Sequence, residues 1–243
     1  MVNIQMRFTF LSLLVLGLFG TSSSTRAQGV DVSVKIEMLP EAGSHSTSKA
    51  SSDSNGVVLW LSPLEANATR QPHPNNYRLI QKGKQFTPHL LVVPTGSSVE
   101  FPNLDPFYHN VFSLFNGKRF DLGLYEAGTS KIVRFDREGV SYIFCNIHPE
   151  MGAVVLSLST PYYAMASAQG MVTIHNVPPG SYRLSLWSEN GLPASLNAAS
   201  RTVQVASADV NLGMIEIRST VSPRMQHKNK FGEDYPPDMN RDY

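Results

Sequence analysis

The chain has 243 residues, of which 42% are hydrophobic and 16% charged, a balance that excludes a disordered polymer. Its formal net charge of +1 provides no basic field to hold phosphates, so nucleic-acid binding by charge alone is excluded as well. A single cysteine cannot form an internal disulfide, and the phosphate-loop, GxGxxG, GxSxG and HExxH signatures are absent.

Residues 1–27 read as a secretory signal. Arg7 precedes an apolar run from Phe8 to Gly20, and small polar residues lead to Thr25-Arg26-Ala27, where cleavage is expected. The run is short for a bilayer span, which sets a membrane anchor second to an exported protein. Loss of Arg7 and Arg26 leaves 18 basic against 19 acidic residues, a mature charge of −1. The expected location is a periplasm, without a membrane span after cleavage. A lone cysteine in an oxidising compartment is a liability unless something occupies it.

Beyond Ala27 the pattern is that of strands. Val30 to Ile36 alternates in period two, and Val57 to Leu61 is a continuous apolar run. Leu90 to Val93 stops at Pro94, Thr95-Gly96 turns the chain, and Ser98 to Phe101 follows. Further strands are expected at Lys131 to Phe135, Ser141 to Phe144, Ala153 to Leu158, Val172 to Ile174, Tyr182 to Trp187, Thr202 to Val205 and Gly213 to Arg218. No long stretch carries a helical period, so the fold class is all-β, built of antiparallel sandwiches. Ser44 to Asn55 reads as a loop. Ser219 to Tyr243, with three prolines and four residues of each charge, reads as a flexible tail.

The chemistry lies between Pro102 and Met151. Cys145, His148 and Met151 follow the spacing C-x2-H-x2-M, and His109-Asn110-Val111 lies upstream. One thiolate, two imidazoles and a thioether are the donor set of a trigonal His2Cys blue-copper centre with a weak axial Met. Cys145 can end the strand Ser141 to Phe144, while His109 must arrive from another strand. Pro149 stiffens the ligand loop by fixing its own φ. Asn110 and Asn146 each follow a ligand directly and are expected to hold the loops and tune the sulfur. Phe101, Phe107, Phe112 and Phe144 are placed to exclude water. His89 follows Pro88 at a strand start and reads as a surface histidine.

The segment from about Tyr77 to Thr160 resembles a cupredoxin of the plastocyanin and amicyanin type. The likeness runs through Phe86-Thr87-Pro88, Val93-Pro94-Thr95-Gly96, Val99-Glu100-Phe101-Pro102-Asn103, His109-Asn110-Val111 and the Cys145 to Met151 loop. It implies a Greek-key sandwich with one type 1 copper ion held by His109, Cys145, His148 and Met151, and an electron port at the edge of His148. Leu114 to Gly128 departs from plastocyanin and amicyanin and is similar to plastocyanin-like proteins labelled methylamine-utilisation proteins. Gly170 to Trp187, with its Pro178-Pro179-Gly180 turn, resembles a carboxypeptidase regulatory-like sandwich. Residues 28–76 and 161–218 are expected to form that second, smaller sandwich around a copper domain at 77–160, with 219–243 as tail; separate N-terminal strands packed on the copper domain are the alternative. The expected function is single-electron transfer between redox protein partners, without catalysis. A copper carrier or buffer, and a non-redox interaction module, are the alternatives.

Overall fold

A computed structural model describes residues 29–41, 56–65, 72–114, 117–220 and 227–235. The expected signal, the Ser-rich loop at 44–55 and the remaining tail residues 221–226 and 236–243 lie outside the described residues.

Nearly all the regular secondary structure of the described chain is strand. In order come β1 (Val30–Pro40), β2 (Val58–Pro63), β3 (Asn76–Arg78), β4 (Ile80–Gln81), β5 (Phe86–Thr87), β6 (Leu90–Pro94), β7 (Ser97–Pro102), β8 (His109–Ser113) and β9 (Phe120–Tyr125). There follow β10 (Ser130–Phe135), β11 (Gly139–Phe144), β12 (Gly152–Leu158), β13 (Tyr163–Met165), β14 (Met171–Val177), β15 (Gly180–Trp187), β16 (Arg201–Val205) and β17 (Val210–Ser219). One short helix, α1 (Pro193–Ala199), separates β15 from β16; it starts at a proline, whose φ suits the first helical turn.

The sheets stack in four layers. The outermost has the order β14-β1-β17, and beneath it lies β13-β2-β15-β16. Between them sits a core of Val32, Val34 and Ile36 from β1, Leu59 and Leu61 from β2, Tyr182 and Leu184 from β15, and Ile215 and Ile217 from β17. The third layer has the order β6-β12-β11-β8-β9 and the fourth β10-β7-β3. Their shared core holds Val99 and Phe101, Val133 and Phe135, Val111, Ile143 and Val155. A smaller apolar layer joins the second and third sheets: Val58 and Trp187 on one side meet Val92, Val154, Leu156 and Leu158 on the other.

This stacking accounts for two kinds of strand. β1 faces a core on one side only, and its burial alternates strictly from Val30 to Met38. β12 lies between two cores: Ala153 and Val155 enter one, Val154, Leu156 and Leu158 the other. It is therefore apolar at nearly every position, and residues 153–158 are all buried. β2 is a sandwiched strand of the same kind.

The pairing is not antiparallel throughout. β1 runs parallel to β17, β6 to β12 and β3 to β7. These pairs join segments distant in sequence, which is how each sandwich closes on itself. The strands β8 and β9 lie where no period-two run announced them. His109–Ser113 is buried at all five positions, so no alternation is visible there.

Outside the apolar contact, His89 ties the two halves. Its Nε2 meets Glu189 Oε2 at 2.6 Å, and its Nδ1 lies 3.0 Å from the carbonyl oxygen of Gly152. The hydrogen bond to Glu189 raises the His89 pKa against the opposing effect of partial burial. Because the folded-state pKa lies above the unfolded value, this pair contributes its full stability below about pH 6.5 and loses it as pH rises through the folded value. His89→Gln should therefore be less stable than the parent at pH 5.5 by roughly a few tenths of a kcal/mol, and the gap should close by pH 8.5 in denaturant melts. Leu156, 1% exposed in the middle layer, is a stronger test of the stack. Leu156→Ala should cost about 2–5 kcal/mol, read as a lowered denaturation midpoint.

Candidate metal centre

The site forms where β8 and β11 lie side by side, in register at Phe112 and Phe144. His109 opens β8, and Cys145 stands one residue beyond the end of β11. The chain then leaves the sheet, turns through His148 and re-enters as β12 after Met151. Two backbone bonds close this turn: Met151 N–H donates to the His148 carbonyl at 3.0 Å, and Cys145 N–H donates to the Met151 carbonyl at 3.2 Å.

His109, Cys145 and His148 converge. Their potential ligand atoms lie within 4.8 Å of one another, and the three form the one such group among the described residues. The Cys145 Sγ is 3.8 Å from His109 Nδ1 and 3.6 Å from His148 Nδ1. An ion bonded at about 2.0 Å to nitrogen and about 2.3 Å to sulfur, with an angle of about 110–120° between them, holds those atoms about 3.5–3.7 Å apart. The two sulfur–nitrogen spacings lie close to that range, so the sulfur is placed to share a metal with the imidazoles. Met151 is fully buried in the same core as Cys145, and the backbone bonds above hold it beside the loop.

The surroundings are dry and ordered. Cys145, His109 and Met151 are fully buried, and His148 is 8% exposed, the most accessible of the four. Phe107 covers both imidazoles, with ring centroids 5.3 Å from His109 and 5.5 Å from His148. Phe101 lies in the core below, whereas Phe112 and Phe144 pair at 5.9 Å.

Burial governs the protonation of these groups. It lowers the His109 pKa and brings that of His148 down to about 4, the latter helped by the neighbouring His109 charge. Both imidazoles are thus neutral near pH 7 and can offer a lone pair. Burial pushes the Cys145 thiol up, against backbone N–H groups of Asn110, Ile147 and His148 that favour its thiolate. A buried anion with only N–H partners is costly, and a cation between sulfur and imidazoles offsets that cost.

One residue in contact with this group escaped the sequence reading. Asp105, 6% exposed, accepts a hydrogen bond from His109 Nε2 at 2.8 Å. It thereby sets the tautomer and leaves Nδ1 free to face the sulfur. Asp105 is itself fixed: Gly83 N–H donates to one oxygen at 2.6 Å and Lys84 N–H to the other at 3.0 Å. Both turn residues have positive φ, 64° and 54°, and that left-handed conformation aims successive N–H groups at one anion. Burial raises the Asp105 pKa, but these donors and His109 outweigh it and hold the carboxyl below its ordinary value. The available signal was an acid four residues before His109, in the turn Asn103-Leu104-Asp105.

Three other histidines stand apart. His89 is the interlayer tie already described. His175 pairs with Asp31 at 2.8 Å on the exposed face, and His73 is exposed. Asn110 donates through Nδ2 to Asp121 Oδ1 at 2.8 Å, and the side-chain oxygen of Asn146 accepts from Lys230 N–H at 2.8 Å.

Comparison with known proteins gives partial likenesses. The family model described as polysaccharide lyase family 4, domain II, matches residues 151–211, where the residues themselves resembled a carboxypeptidase regulatory-like domain. No curated protein matches the chain. Among solved structures, a novel purple cupredoxin from Nitrosopumilus maritimus is 26% identical, with 34% of this chain and 99% of that one covered, at a TM-score of 0.31. A copper-containing nitrite reductase from Thermus scotoductus is 24% identical over 40% of this chain and 25% of that one, at 0.33. A reduced Cu(I) form of an amicyanin mutant is 17% identical over 34% of this chain and 82% of that one, also at 0.33. At such scores the chemistry of the site stands on its own side chains.

Asp105→Asn should keep the fold and weaken Cu(II) binding roughly 10- to 100-fold. In the metal-free protein the same change should alter the His109 ring nitrogen shifts in NMR, because the carboxylate no longer selects the tautomer.

Proposed function

We propose that this protein is a type 1 copper protein that passes single electrons between redox partners and performs no catalysis of its own. The observation that carries the reading is the buried Cys145 sulfur, facing Nδ1 of His109 at 3.8 Å and of His148 at 3.6 Å. His109, Cys145 and His148 would hold the ion, with Met151 as the weak fourth donor. Copper bound there would supply one-electron chemistry at little structural cost. A single thiolate with two imidazoles and a thioether suits copper better than zinc, whose structural sites take four strong donors.

The chain's own residues do the rest. Asp105 keeps a proton on His109 Nε2 and so keeps Nδ1 available. Phe107 excludes water from the imidazole side. The loop's N–H groups hold the sulfur in one position. A donor set held by the start of β8 and by a short, closed loop within a packed core moves little between oxidation states, which suits rapid electron exchange. The same rigidity and burial disfavour metal delivery, which needs ligands that a partner can reach. His148, the most accessible of the four, is the proposed port for electrons. Export to a periplasm accords with the N-terminal sequence. No helix among the described residues is long and apolar enough to cross a membrane.

Purified protein given Cu(II) should become intensely coloured, bleach with reductant and regain colour with oxidant. Cys145→Ser should bind Cu(II) without the intense band. A coloured Cys145→Ser protein, or a parent protein that stays colourless with a full complement of copper, would overturn the proposal.

A further inference from the structure

Part of the segment expected to be a flexible tail is placed against the candidate metal centre. Residues 227–235 lie beside the outer side of the ligand loop. Tyr235 Oη donates to the Cys145 carbonyl at 2.8 Å. Lys230 N–H donates to Asn146 Oδ1 at 2.8 Å. The Lys230 ammonium pairs with Asp121 at 2.7 Å, and the other oxygen of Asp121 accepts from Asn110. The His227 ring stacks on Phe144, centroids 4.0 Å apart and 19° between planes.

We propose that residues 227–235 are a clamp on the Cys145–His148 loop, in which Tyr235 is a positioning residue that acts on Cys145 through its backbone carbonyl. The part of this inference that concerns metal retention rests on the copper reading above; the clamp itself does not.

Three observations carry it. First, the contacts fall on chosen residues. Phe144 precedes the cysteine, Asn146 follows it, and Asn110, reached through Asp121, follows His109. Asn110 and Asn146 are the residues the sequence marked as holding the ligand loops. The partner of Asn146 proves to be the C-terminal segment. Second, the contacts differ in kind. A ring stack, a neutral hydrogen bond to a carbonyl, a backbone N–H hydrogen bond to a side chain and an ion pair all meet within nine residues, which a solvated tail does not do. Third, the segment has an internal order that presents these groups. Asn229 Oδ1 accepts from Phe231 N–H and Glu233 N–H, Gly232 N–H donates to the Asn229 carbonyl, and Gly232 has the φ of 84° that the turn requires. His227 Nδ1 lies 3.2 Å from Tyr235 Oη, so the phenol is held on one side while it donates on the other.

The physical consequence follows from where the loop's own bonds lie. Two bonds between backbone groups close its turn on the Met151 side, and the N–H groups of Ile147 and His148 face the Cys145 sulfur inside it. The clamp adds fixed points on the opposite side, at Cys145 and Asn146. It thus holds the sulfur near the imidazoles before any ion arrives and resists the opening of the loop that release of an ion requires.

Amide hydrogen exchange on metal-free full-length protein tests this directly. Tyr235→Phe removes one O–H and keeps the ring. It should speed exchange at residues 146–148 roughly three- to tenfold, the worth of one hydrogen bond, and leave β1 and β17 unchanged. Asn146→Ala should do the same independently. In copper-loaded protein, Tyr235→Phe should speed loss of the ion to a chelator by a similar factor and shift the visible band. Unchanged exchange in both metal-free variants would overturn the clamp whatever the metal does. Faster exchange in a protein that never takes up copper would keep the clamp and sink the copper reading.

Discussion

The structure depends on keeping one sulfur dry and correctly aimed. Cys145 is buried at the end of β11, between two imidazoles that belong to different parts of the chain. A thiolate in such a place is unfavourable without a cation, and neutral imidazoles give a cation its remaining donors. The paired strands β8 and β11 bring the two side chains together, because His109 opens β8 and Cys145 directly follows β11. The elements around the site can be understood as support for that one alignment.

The support comes from three directions. From behind, the core of the third and fourth sheets holds Met151, Ile143 and Phe101. From the imidazole side, Asp105 anchors His109, and the Gly83–Lys84 turn anchors Asp105. From the outer side, residues 227–235 engage Cys145, Asn146 and Asp121. The core of the other two sheets contains none of the four donors. That pair of sheets stacks on the back of β12, the strand that leads directly out of the ligand loop, and so steadies the loop at a distance.

The legibility of these parts differs for physical reasons. β1 announced itself by alternation, because only one of its faces meets a core. The apolar run of β12 also stood out, because both of its faces are covered. β8 did not, since its five buried residues include His109, Asn110 and Ser113, whose polarity hides a buried strand from a hydrophobic pattern. α1 is too short for a helical period to be seen. Asp105 was invisible because a carboxylate's role is set by the donors around it, and those come from a turn more than twenty residues earlier.

The sequence by itself determined the all-β character and the donor types, because strand periodicity and the spacing of Cys145, His148 and Met151 are local properties. It also brought two sulfurs and one imidazole into a single short loop. Only the tertiary structure decided that His109 meets Cys145 and His148, that its Nδ1 and not its Nε2 faces the sulfur, and that a polar C-terminal segment lies on the loop. These facts turn on contacts between residues far apart in the chain, each selected by the free energy of the whole packed fold and not by the preferences of its neighbours in sequence.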